Sequence, residues 1–152
     1  LCTGFIAYRT LQPNASPTLT IDQPMPTPDL APGAVVQLQL MALQQNDAQD
    51  RGIATAFNFA SPANKEVTGP LSRFRQLLRT PDYAQLLNFD SFRAEEIRIE
   101  GDRAQQIVVV TDAYGQEVTY LFELSRQSRP PFQGCWMTDG VIRLREAPSI
   151  RT

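Results

Sequence analysis

An α+β fold is predicted, with N-terminal helices packed in the concave face of a curved antiparallel sheet of about four strands. Three features of the sequence point to it. Helical periodicity occupies residues 33–87 and strand-like alternation occupies residues 92–145. Glu117–Gln127 alternates cleanly, with Val118, Tyr120, Phe122 and Leu124 on one face and Glu117, Thr119, Glu123 and Ser125 on the other. The last strand-like run, Gly134–Arg145, is interrupted by Asp139-Gly140. A glycine inside a strand marks a bulge or bend, which would curl the sheet into a cone around the helices.

The helical half begins after Pro32. Val35, Val36, Leu40 and Leu43 recur at helical spacing among glutamines, so residues 33–45 form an amphipathic helix. Asp47 or Asp50 caps a second helix carrying Ile53, Ala56, Phe57 and Phe59. Ser61-Pro62 is an N-cap followed by a first helical residue. It opens one short turn over Ala63–Val67, stopped by Gly69. From Pro70 a further helix runs to Arg79, with Leu71, Phe74 and Leu78 on its apolar face. Pro81 ends it, and Tyr83–Leu87 adds a last helical piece. Phe57 and Phe122 are the expected core aromatics of helix and sheet.

In the β half, Phe92–Glu100 is expected as one strand with Ile97 and Ile99 facing one way and Arg98 and Glu100 the other. Ala104–Thr111 holds the apolar run Ile107-Val108-Val109-Val110, suited to a central strand. Gly101-Asp102 and Asp112–Gly115 are the turns between strands.

Ahead of the domain, Leu1–Tyr8 is apolar and shorter than the roughly 20 residues that span a bilayer. The first residue is leucine rather than methionine, so residues 1–9 read as the remnant of an anchor or signal segment, with a lipidated Cys2 as another form of attachment. Residues 10–32 hold half of the chain's 12 prolines, the mark of an extended linker. The domain is placed at residues 33–146, and residues 147–152 form a tail.

Composition excludes several function classes. Of 152 residues, 42% are hydrophobic and 20% charged, with net charge −2, which is no footprint for nucleic acid. Lys65 is the only lysine, and there is no histidine. The usual imidazole base and most zinc, copper and haem sites are thereby removed. No metal or cofactor is expected. Cys2 and Cys135 are the two cysteines, and a bridge between them is not expected.

Three segments carry a family resemblance: Ala56–Asn64, Gly69–Phe74 and Gly134–Val141. Together they resemble a bacterial and plant family of unknown function, placed in the superfamily of nuclear transport factor 2 and ketosteroid isomerase. The resemblance covers about residues 33–146. It implies a curved sheet wrapped around a long N-terminal helix, enclosing a conical cavity. It implies no activity, because folds of this kind host enzymes, binders and scaffolds.

Candidate site residues follow from this geometry. Ser61, Asn64, Tyr120 and Asp139 are expected at the cavity or its rim. Asp139 with Tyr120 is the one acid and aromatic hydroxyl that could serve proton transfer. The competing assignments are a core tyrosine and a turn aspartate, and for Ser61 and Asn64 helix capping. Trp136 lies between Cys135 and Met137 on a strand, so one phase of that trio faces away from the cone as a partner-binding patch. Arg73, Arg75 and Arg79 form a basic edge for acidic protein or lipid headgroups. The leading expectation is a non-catalytic, membrane-tethered binding or scaffold module serving a larger membrane complex. The glutamine- and arginine-rich style and the resembled family's plant members extend it to a cyanobacterial or plastid (thylakoid) membrane. A small-molecule binder or isomerase using the cone is the alternative.

Overall fold

The computed structural model describes residues 23–145. The predicted Cys2 and residues 1–22, with most of the proline-rich linker, lie outside the described residues, as does the tail from 146. Four α-helices precede five strands: α1 Pro32–Gln44, α2 Arg51–Asn58, α3 Pro62–Thr68, α4 Leu71–Leu77, a 3-10 turn at Ala84–Leu86, then β1 Ser91–Ala94, β2 Arg98–Glu100, β3 Arg103–Thr111, β4 Glu117–Arg126 and β5 Trp136–Leu144. The sheet is antiparallel throughout, in the order β1-β3-β4-β5, with β2 also on β3. The α+β class is the predicted one.

The core lies between one phase of the sheet and the first two helices. Val108, Val110, Val118, Tyr120, Phe122 and Leu124 meet Val35, Val36, Leu40, Leu43, Ile53, Ala56 and Phe59 there. α1 and α2 approach closely at Gly52, where a Cβ would lie 2.0 Å from the Ala42 carbonyl oxygen. Only glycine fits that crossing. The turn after β3 is built by Asp112, whose Oδ1 accepts from Tyr114 N and Gln116 N, both at 2.9 Å. Gly115, at φ 84°, supplies the left-handed residue it needs.

The expected bend is present. The β4–β5 register shifts between Glu123 and Leu124, opposite Gly140 and Thr138, so that Asp139 is the extra residue of a bulge. Just before the bulge, β5 gains a second neighbour. Thr138 N donates to Phe59 O and Ser61 N donates to Thr138 O, each at 2.8 Å.

Several expectations are corrected. Pro32 is not the end of the linker but the first residue of α1, a position where its missing N–H costs nothing. Residues 23–31 form no helix or strand, yet Leu30 packs on the core and Gln23 Nε2 donates to Thr55 Oγ1 at 3.2 Å. Phe92–Glu100 is two strands, not one. Both pair with β3, and the break at Glu95–Ile97 leaves Ile97 against the core and Ile99 51% exposed. Phe57 is only half-buried and stacks on Phe74 at 5.1 Å, while Phe59, just past the end of α2, is fully enclosed. The helix ends at Asn58, so its period no longer governs residue 59. The long N-terminal helix is instead 13 residues followed by shorter ones.

Candidate functional site

The helices do not fill the concave face. A cavity of about 680 Å³ opens between α1–α4 and the bulged end of the sheet. Leu43, Phe74, Leu78, Leu86, Phe122 and Val141 make its wall apolar, and polar groups gather where Arg103, Ser125, Gln127 and Asp139 border it.

Most polar groups on the cavity are spent within the fold. Gln39 is buried on α1; its Nε2 donates to Ala56 O at 3.0 Å and its Oε1 accepts from Thr138 Oγ1 at 2.6 Å. One side chain thus joins α1, α2 and β5. Asn64 Nδ2 donates to Thr138 O at 3.0 Å, and Thr68 Oγ1 donates to Asn64 O at 3.0 Å. Tyr83 Oη donates to Val141 O at 2.9 Å. Ser125 Oγ donates to Asp139 Oδ1 at 3.0 Å and accepts from Gln127 Nε2 at 3.2 Å.

Asp139 and Arg103 differ from these. The second carboxylate oxygen of Asp139 has no protein partner, and Arg103 makes no ion pair or side-chain hydrogen bond among the described residues. Both also border an adjoining polar pocket of about 230 Å³.

The structure separates the predicted site residues. Asn64 and Asp139 line the cavity; Ser61 and Tyr120 do not. Ser61 is 1% exposed, its hydroxyl capping α3 by accepting from Asn64 N at 3.2 Å. Tyr120 is fully buried and donates to Asp82 O at 2.7 Å. Burial pushes its phenol up to about 12, so it is a poor proton donor at neutral pH. It lies in register with Arg143, beyond the bulge from Asp139, and the two do not form an acid–phenol pair.

Trp136 is not an exposed anchor. It is 8% exposed, and Cys135 and Met137 are buried too. Strand alternation assumed one covered face, but here the edge of β5 pairs with residues 59–61 and Pro28 lies against Gly134. Burial, followed by the Asp29 charge, pushes the Cys135 thiol up. The basic edge is largely occupied. Arg79 pairs with both oxygens of Asp50, at 2.8 and 3.2 Å, and Arg75 Nε lies 3.7 Å away from it. The hydrogen bonds from Arg79 and Asn46 hold the Asp50 carboxyl below the usual range. Arg73 has no ion pair among the described residues. Lys65 stands 5.1 Å over Phe57 and 5.7 Å from the Phe132 ring centre, and burial pushes its ammonium down.

Sequence reasoning missed Arg103, Ser125 and Gln39. Gln39 had a signal: it falls on the apolar face of α1 among Val35, Val36, Leu40 and Leu43, where an amide must find partners. Arg103 and Ser125 had none beyond the bulge itself, which re-aims its neighbours. Among the described residues no group of three or more ligating side chains could hold a metal, and no helix is long and apolar enough to cross a membrane.

The fold and cavity define an α+β domain with an open, apolar-walled cavity beside a sheet bulge. The chain matches the family described as Domain of unknown function (DUF4864) over residues 29–150, and it belongs to that family. Neither the curated proteins nor the solved structures contain a match to it.

Proposed function

We propose that the chain is a non-catalytic binding module whose cone takes up the apolar part of a small molecule. The carrying observation is the cavity, about 680 Å³ with an apolar wall and a few polar groups at one end. That is the size and make-up of a ligand site. Asp139 is the one carboxylate on its lining among the described residues, and Tyr120, its expected partner, is turned to Asp82. This supports binding over proton transfer. The partner-binding patch loses support because Trp136 is covered and Arg75 and Arg79 are drawn to Asp50. The apolar Leu1–Tyr8 and the proline-rich stretch behind it support a site held near a membrane, where apolar ligands reside.

The test is uptake of the neutral fluorophore N-phenyl-1-naphthylamine, read as enhanced emission. Val141→Trp places an indole in the cavity without touching the Gln39 hydrogen bonds. It is expected to weaken uptake at least about tenfold, with an unchanged circular dichroism spectrum. Equal uptake by the folded variant refutes the site.

A further inference from the structure

The cavity and the smaller pocket beside it share Arg103 and Asp139. They differ in chemistry, and by register Arg98, Glu100, Gln105 and Glu123 lie on the sheet face opposite Phe122 and Leu124, so the two spaces meet at Arg103 and the Asp139 bulge. The larger is walled by leucine, phenylalanine and valine. The smaller, about 230 Å³, is bordered by two guanidinium groups, Arg98 and Arg103, and three carboxylates, Glu100, Glu123 and Asp139. None of these five forms an ion pair among the described residues. Gln105 Nε2 makes only a long contact to Glu123 Oε2, at 3.4 Å. Charged groups of both signs thus face one small space without cancelling each other directly.

We propose that the two spaces form one bipartite site for an amphiphile with an apolar chain and a neutral polyhydroxyl head. The head sits against Arg103 and Asp139, and the chain enters the cone. This rests on the cone being a ligand site. A carboxylate or phosphate head would gain from the arginines and be repelled by three acids. A cationic head meets the converse mixture. A hydroxyl both donates and accepts, so it can donate to the free oxygen of Asp139 while accepting from Arg103. Adjacent hydroxyls of a sugar or polyol repeat that pattern against Glu100, Glu123 and Arg98. The apolar wall supplies binding energy through buried area, and the mixed-charge border selects the head. The β5 bulge is what brings this about. It inserts Asp139 where an unbroken ladder would hold a residue paired across to β4.

Displacement of N-phenyl-1-naphthylamine from the full chain tests the proposal. The competitors share an eight-carbon chain and are used below micelle-forming concentrations: octyl glucoside, octanoate, octyltrimethylammonium and octan-1-ol. Octyl glucoside is expected to compete about tenfold more strongly than either charged amphiphile, the scale of one or two added hydrogen bonds. Asp139→Asn and Arg103→Gln are each expected to weaken the glucoside about tenfold and leave octan-1-ol unchanged. Octanoate competing as well as the glucoside overturns the neutral-head assignment. Equal loss of glucoside and octan-1-ol in the variants overturns the head site, since it means cavity damage. If the fluorophore binds and the head group makes no difference, this inference alone fails. If the fluorophore never enters the cone, the binding function fails with it.

Discussion

Gln39 and Asp139 both border the cavity, yet the fold treats them in opposite ways. The Gln39 amide is buried, and both of its ends are bonded to protein, at 3.0 and 2.6 Å. Asp139 is half-buried and among the described residues accepts one side-chain hydrogen bond, from Ser125. A buried amide without partners costs free energy, so Gln39 is fixed by the needs of folding. A carboxylate at a bulge, with an oxygen left over, is not required by the ladder. The contrast divides the lining into groups that build the cone and groups left for a ligand.

The building side is broken most strongly at Phe122. It is buried at 1% exposure on the inner face of β4 and lines the cavity. Phe122→Ala is expected to lower unfolding free energy by about 3–5 kcal/mol, measured by urea denaturation. A loss below about 1 kcal/mol means the cavity already leaves the ring without dense packing.

Tyr120 gives a pH-dependent form of the same test. Its phenol is pushed up to about 12 by burial, above the ordinary value of 10.0. Below pH 10 the folded and unfolded chains both carry the proton. Between pH 10 and 12 only the unfolded chain releases it, so stability falls as pH rises. The loss should approach about 2–3 kcal/mol across that window. Tyr120→Phe should remove most of the slope, and a slope unchanged in the variant means other groups carry it.

Gln39→Leu strands the buried Thr138 hydroxyl, while the Ala56 carbonyl keeps its bond from Phe59 N at 3.1 Å. A loss of about 2 kcal/mol is expected. Adding Thr138→Val removes the stranded hydroxyl and should recover part of it. A double variant as weak as the sum of its single changes would mean that the two side chains are not coupled.

How much of this was legible in the sequence follows the same division. β3, β4 and β5 fall within about two residues of their expected limits, because period-two alternation and turn residues are local signals. The bulge was legible from Asp139-Gly140, and α1 and α3 from Pro32 and Ser61-Pro62. What was not legible depends on segments far apart in the chain. Trp136 is covered because it packs into the core cluster with Arg126 over its ring, and residues 59–61 pair with the strand beside it at Thr138, contacts between segments that no local window sees. Arg79 is drawn to Asp50 across a sequence separation of 29. Ile99 keeps the inner phase, opposite the buried Ala104, yet is 51% exposed because it sits on a short strand of three residues, and alternation alone does not report that. Tyr120 was correctly placed on the inner face, but its hydroxyl partner, a main-chain carbonyl at Asp82, has no sequence signature.

The mildest change carries the sharpest distinction. Asp139→Asn keeps size and turn preference, and its amide oxygen can still accept from Ser125, 3.0 Å away. Among the described residues the carboxylate's other oxygen has no partner to lose. Stability is therefore expected to change by less than about 0.5 kcal/mol, as for a surface position. Thermal melting of the purified variant checks this, alongside Gln39→Leu under the same conditions. A loss as large as that of Gln39→Leu would place Asp139 among the groups that build the cone, and the contrast between the two residues would collapse. A near-neutral change leaves the carboxylate with no role in holding the fold. Its charge beside the open cavity then has to be accounted for by what enters, and the glucoside competition measures that in the same protein.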